Sequence, residues 1–212
     1  MKTADLIAAL AADPKPQGPP LSRRFVLALA AGALISACLF LGMVGPRHDI
    51  ARALGTIRFD WKFVDTIALA IPTGLATWRL LRPGAERRWL AIALAAPLIL
   101  LGGSVAMELM MVPPDLWLAR LIGSNALHCL TLIPLLSIAP LAALLLAMRA
   151  GAPASPPLAG AAAGLVSAGI AATLYATNCT DDSPLFVATW YTLATMIVVA
   201  VGAFIGGRVL RW

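Results

Sequence analysis

The feature that most limits what this chain can fold into is the spacing of its charges. Six apolar runs, each close to the length that crosses a hydrocarbon core of about 30 Å, are separated by short polar breaks. They fall at about residues 25–44, 61–81, 89–112, 126–148, 158–176 and 185–206. Only 12% of residues are charged and 60% are hydrophobic, so no stretch remains from which a separate soluble domain could be built. The expected fold is therefore all-α and integral to a membrane, with six transmembrane helices and short loops, because in hydrocarbon each segment must pair its own backbone polar groups. The net charge of +6 then points to anionic lipid headgroups and not to nucleic acid.

Counting Lys and Arg on alternate sides of six spans gives an orientation. One side collects Lys2, Lys15, Arg23, Arg24, Arg79, Arg82, Arg87, Arg88, Arg149, Arg208 and Arg211; the other has Arg47, Arg52, Arg58, Lys62 and Arg120. The larger set marks the cytoplasm, so both ends of the chain are expected inside. Residues 1–24 form a polar, proline-rich segment with no signal-peptide cleavage pattern, so they are expected to persist as a cytoplasmic arm before a transmembrane domain of residues 25–212. Within that arm Thr3 can cap a short helix, Asp5 suits its first turn, and Leu6, Ile7 and Leu10 share one face. So short a helix is marginal alone and calls for a partner surface. Pro14, Pro16, Pro19 and Pro20 then make a stiff spacer.

Between the spans, residues 48–59 place Ile50, Leu54 and Ile57 on one face, as for a helix lying in the headgroup plane. Lys62 and Asp65 sit one turn apart and are expected to pair as an interfacial anchor. Glu108 is expected to pair with Arg120. Gly160 and Gly164, four apart, invite close approach by another helix, and Gly102, Gly103, Gly206 and Gly207 also suit helix packing.

The polar break at residues 175–184, Tyr-Ala-Thr-Asn-Cys-Thr-Asp-Asp-Ser-Pro, carries a thiol where water, oxidants or metal ions can meet it. By the orientation above, Cys179 and Cys129 lie at similar depth on the outer side. A structural disulfide, a redox or soft-metal sensor, and two unrelated buried thiols are all compatible with that placement. A metal site would draw on His128, Cys129, Cys179, Asp181 and Asp182. Cys38, inside an apolar run, is expected to be a small core residue. The chain has no Cys-x-x-Cys, no glycine-rich phosphate loop, and two histidines only, His48 and His128. Enzymatic chemistry is not expected. A small ion-coupled transporter and a membrane thiol oxidoreductase are the alternatives, but the charges lie near span ends and no internal repeat is visible.

Several motifs resemble a known family. They are the opening MKTADLIAALAAD, Leu127-His128-Cys129-Leu130 with Ile133-Pro134-Leu135-Leu136, and the tail from Leu174-Tyr175-Ala176-Thr177 through Cys179, Asp182-Ser183-Pro184-Leu185-Phe186-Val187 and Trp190-Tyr191 to Arg211-Trp212. Together they resemble the NrsF family of proteobacterial membrane-bound anti-sigma factors, across nearly the whole chain. The resemblance implies a six-span inner-membrane regulator holding an extracytoplasmic-function sigma factor of the sigma-F type. It implies that residues 3–13, including Thr3, Asp5, Leu6, Ile7, Leu10 and Asp13, contact that partner. It also implies that Cys129 and Cys179 receive a heavy-metal or oxidative signal from the periplasm, with no cofactor beyond a transient soft metal ion. Asn178 stands where family members often place a histidine, and it is the poorer soft-metal ligand.

Overall fold

The computed structural model describes residues 18–82 and 84–211, together with Thr3, Asp5 and Ile7. These residues form helices and turns only: α1 (Leu21–Met43), α2 (Ile50–Ala53), α3 (Ile57–Leu80), α4 (Arg88–Met111), α5 (Trp117–Ile122), α6 (Ala126–Met148), α7 (Pro156–Ala176) and α8 (Pro184–Val209). A 3-10 turn, Pro114–Leu116, leads into α5, and one turn of α8, Val187–Tyr191, is π-helical. The helix expected in the headgroup plane over residues 48–59 is cut short. Only Ile50–Ala53 forms it, because Gly55 and Thr56 intervene and Ile57 already begins α3.

Five helices, α1, α4, α6, α7 and α8, are long and apolar enough to cross a membrane. The expectation of six is corrected at α3. Its 24 residues reach about 36 Å, but Arg58, Asp60, Lys62, Asp65 and Arg79, with Pro72, dilute its apolarity. It nevertheless runs the height of the bundle. At one end Lys62 Nζ donates to the Cys179 carbonyl at 2.8 Å; at the other the Ala152 N–H donates to the Leu81 carbonyl at 3.2 Å. Inside α3, the Thr73 and Thr77 hydroxyls return to the carbonyls of Leu69 and Thr73, which keeps them satisfied away from water.

The helices run up and down. Leu21, Leu81, Met148, Ala159 and Leu210 pack in one cluster, and Val44, Cys129, Tyr175, Cys179 and Phe186 in another at the opposite end. The beginning of α1 and the end of α8 thus share one end of the bundle, and the 177–183 loop lies at the other.

α7 is the most enclosed element, and its sequence explains why. Ala and Gly along its length let neighbouring backbones come close where bulkier side chains would hold them apart. A Cβ on Gly160 would strike the Gly202 carbonyl, one on Gly164 would strike Val198 and Val199, and one on Gly169 would strike Ala70 of α3. The expected close approach at Gly160 and Gly164 is thereby found, along α8. α1 meets α6 in the same way, with Gly32 against Pro140 and the Ser36 hydroxyl donating to the Leu136 carbonyl at 2.8 Å. Gly102 and Gly103 are a correction: both face open space, so they serve no packing inside the bundle. Cys38 is another. It lies exposed on the outer flank of α1, because Gly32, Ser36 and Phe40 take that helix's inward face.

Overpacking at the α7–α8 contact should be costly and the same change on α4 should not. Gly160→Leu is expected to lower unfolding free energy by about 3 kcal/mol, and Gly103→Leu to change it by less than about 0.5 kcal/mol. Steric-trapping measurements in bicelles check both; equal effects would contradict the packing described.

Candidate functional site

α7 ends at Ala176 because the sequence turns polar, and α8 restarts at Pro184, whose fixed φ and missing N–H suit a first helical position. Between them the N–H groups of Asn178 and Cys179 both return to the Tyr175 carbonyl, at 2.9 and 3.0 Å, and this tight turn tucks the Cys179 side chain inward. Cys129, in the first turns of α6, meets it there. Both cysteines are free thiols, both are 0% exposed, and their side chains interact. Tyr175 and Tyr191 complete the pocket with their rings 5.9 Å apart. Their hydroxyls are buried without a regular hydrogen bond and face the two thiols.

A polar cap closes this cluster. Lys62, 2% exposed, donates to the carbonyls of Cys179 at 2.8 Å and Asp181 at 3.3 Å and pairs with Asp182 at 2.5 Å. Arg47 pairs with Asp182 at 3.0 Å and with Asp49 at 2.6 Å, and its own N–H donates to the Thr177 carbonyl. Asn178 Nδ2 donates to the Gly45 carbonyl at 2.9 Å, tying the end of α1 to the same loop. Asp181 accepts from the Ser124 and Asn125 N–H groups at 2.9 and 2.8 Å and from Asn125 Nδ2 at 2.8 Å. Gly123, at φ +57°, turns the chain into α6 so closely against Asp181 and Phe186 that a side chain there would collide with both. Glu108, 4% exposed, pairs with Arg120 at 2.6 Å, as its sequence position suggested, and with Arg58 at 2.9 Å, and it accepts from Ser183.

The electrostatics follow from these neighbours. The facing Cys129 thiol draws the Cys179 thiol below its usual range, to about 7; burial opposes this and the Lys62 charge assists it. Burial also acts to raise the Asp181 carboxyl, but the Asn125 and Ser124 donors outweigh it and hold that group below the usual carboxylate range.

The expected site residues sort into three groups. Cys129 and Cys179 come together although fifty positions separate them. Asp181 and Asp182 lie beside them, with their carboxylates engaged by Asn125, Ser124, Lys62 and Arg47. His128 is exposed and turned away, since its neighbour Cys129 takes the inward face. Among the described residues no three His, Cys, Asp or Glu side chains are grouped to hold a metal ion. The expected meeting of Cys179 with water is corrected, because the loop folds over its own thiol. The expected Lys62–Asp65 pair is corrected too: Lys62 turns to Asp182, and the Asp65 Oδ1 atom is buried without a partner. In the arm, Thr3, Asp5 and Ile7 are helical and exposed; Leu6, Leu10 and Asp13 lie outside the described residues.

Sequence reasoning missed Arg47, Asn125, Tyr175 and Tyr191 as parts of the site. A signal for the tyrosines was available, because the chain's two tyrosines both flank the Cys179 loop.

Fold and site define a class: a small helical bundle with five apolar helices of membrane-crossing size and a sealed thiol pair at one end. The chain belongs to the family described as negative regulator of sigma F, NrsF, whose family model matches residues 10–212. It is 36% identical over 213 residues to the probable anti-sigma-F factor NrsF of Azospira oryzae and 35% identical over 217 residues to the anti-sigma-F factor NrsF of Caulobacter vibrioides, each covering 100% of both chains. No solved structure matches.

Lys62→Met should destabilise the protein by roughly 3 kcal/mol, the lower end for breaking a buried ion pair, because Arg47 still answers Asp182. Adding Asp182→Asn should recover part of that loss, read as non-additivity in a double-mutant cycle of unfolding free energies. The Cys179 thiol gives a pH signature. Its folded pKa lies below the usual value of 9.0, so its contribution is fully present above that value and is lost as pH falls through about 7. Wild type should therefore gain stability over Cys179→Ala between pH 7 and 9; parallel profiles would refute this.

Proposed function

We propose that the protein is a membrane-embedded anti-sigma factor. It holds an extracytoplasmic-function sigma factor of the sigma-F type at the inner membrane through residues 3–13 and releases it when the Cys129–Cys179 pair changes state under oxidative or heavy-metal stress. The observation that carries this reading is the contact between two cysteines fifty positions apart, sealed at the end of the bundle opposite the start of α1 and the end of α8. Membership of a family whose curated relatives are named anti-sigma-F factors supports the sigma-factor partner.

The topology is part of the proposal: both termini in the cytoplasm, with α3 accompanying the five apolar helices across and the thiol cap facing the periplasm. The distribution of charge favours it. Of the five basic residues at the thiol end, Arg47, Arg58, Lys62 and Arg120 are paired with Asp49, Asp182 or Glu108. At the other end Arg79 lies over the Trp89 ring, Arg82 over Trp78 and Arg208 over Phe204, as basic and aromatic anchors do at a headgroup surface.

The transmission has two states. Joining the two sulfurs, or bridging them with a soft ion, changes the seat of α6 against the loop between α7 and α8. Closely packed helices shift as units and carry that change to their far ends, where the arm begins. A change of about 1.4 kcal/mol in the arm's affinity moves sigma-factor occupancy tenfold.

Two measurements check it. Deleting residues 2–13 from the full chain should abolish co-purification of the sigma factor and free its target promoters. Cys129→Ser, Cys179→Ser and the double variant should repress those promoters in unstressed cells yet fail to release them under oxidant; a double variant that responds like wild type would refute the thiol switch.

A further inference from the structure

A groove of about 370 Å³ runs beside the thiol cluster between α3, α4, α7 and α8. From Ala161 to Ala172, along α7, the helical rise makes it about 16 Å long. Leucines of α3 and α4 wall most of that length, which suits a hydrocarbon tail. The end nearest the thiols is different. Asp65, 7% exposed, lines it with a carboxyl whose Oδ1 atom is buried without a partner, and Tyr191, 4% exposed, lines it too while its hydroxyl faces the thiols. The π-helical turn Val187–Tyr191 sits here as well, and such turns recur at functional sites.

Buried polar groups without partners are costly and call for an occupant that satisfies them. A plain acyl chain would leave Asp65 unsatisfied, and a fatty acid would set a second carboxylate against it. The occupant that fits has a long apolar tail and a flat head with oxygens at both edges, able to accept from a phenol or carboxyl group and, after reduction, to donate back. Tyr191 also belongs to the thiol pocket, so such a head would lie one side chain from Cys179. The polar cap closes the pocket on its other side, leaving both thiols 0% exposed.

We infer that this groove binds an isoprenoid quinone with its ring at Asp65 and Tyr191, and that the quinone oxidises the Cys129–Cys179 pair. In that step two S–H bonds break and one S–S bond forms. The two electrons and two protons pass to the quinone, whose two carbonyls become the hydroxyls of a quinol. Tyr191 stands between the couples, placed to relay a proton, and Asp65 accepts a hydrogen bond from the quinol. The cellular meaning of this step rests on the thiol-switch reading; the binding site does not.

The test uses the full chain in phosphatidylcholine nanodiscs with decylubiquinone as probe. Binding is measured first on the Cys129→Ser/Cys179→Ser variant, where no thiol chemistry intervenes. Saturable binding at one per chain is expected, weakened at least tenfold by Asp65→Leu and by the groove-filling Ala161→Trp. Partition no greater than into empty nanodiscs, or equal displacement by palmitic acid, would mean that the groove holds acyl chain only and would overturn the proposal. Wild-type protein is then incubated anaerobically with decylubiquinone. Two thiols should be lost per quinol formed, and Tyr191→Phe should slow this at least tenfold while leaving oxidation by the polar reagent diamide unchanged. Thiols that stay reduced with decylubiquinone yet react with diamide would overturn the redox step. If binding and oxidation hold but the cysteine variants still release the sigma factor normally, the switch reading fails and the quinone site stands.

Discussion

A buried ammonium group organises the thiol end of this protein. Lys62 emerges from α3 at a depth where an unpaired charge would be expensive, and the 177–183 loop meets it with two backbone carbonyls and the Asp182 carboxylate. The dependence runs both ways. Without Lys62 the Cys179 carbonyl would keep only the longer contact from Arg47 Nη1 at 3.4 Å and the Asp181 carbonyl only the Cys179 thiol at 3.7 Å, and the turn that places that thiol against Cys129 would lose its strongest anchor. The facing Cys129 thiol, assisted by the Lys62 charge, explains why Cys179 is at once buried and drawn below the usual thiol range, a combination that burial alone opposes.

Around that contact the bundle divides into a stiff side and an open side. On the stiff side Gly160 and Gly164 set the backbones of α7 and α8 against each other, and Gly169 seats α7 on Ala70. Little side-chain rearrangement can be absorbed in such a contact, so a displacement at the loop joining α7 to α8 moves helices instead of rotamers. On the open side α4 stands off from α7 and α8, leaving the groove that ends at Asp65 and Tyr191. The thiol pocket thus adjoins rigid elements on one flank and the open groove on the other.

Much of this was legible in the sequence, and the parts that were not share a cause. Run lengths and charge gaps locate the long helices to within a few residues, because membrane thickness fixes both. Counting sides puts Cys129 and Cys179 at similar depth on one side, but it leaves open whether they meet, which the folded loop decides. What local pattern could not show is which way a side chain turns when two partners compete. Lys62 and Asp65 are one turn apart and look like a pair, but Lys62 reaches a carboxylate and two carbonyls a hundred and more positions away, and Asp65 is left facing the groove. His128 and Cys129 are adjacent and look like joint ligands, but neighbours on a helix point about 100° apart. Cys38 sits in an apolar run like any core residue, yet in a membrane the apolar face of a helix is as often its outer one.

The correction at α3 and the charges of the cap explain each other. α3 is less apolar than its neighbours because it carries the cations that Asp182 and Glu108 require, and it can carry them because they gather at one end and are paired there. Arg47, Lys62 and Arg120 have their charge answered within the bundle. Arg79, Arg82 and Arg208 instead lie against aromatic rings at the opposite end. The two ends therefore differ in how the fold meets their cations, with carboxylates at the thiol end and aromatic rings at the other, and not only in the count of Lys and Arg.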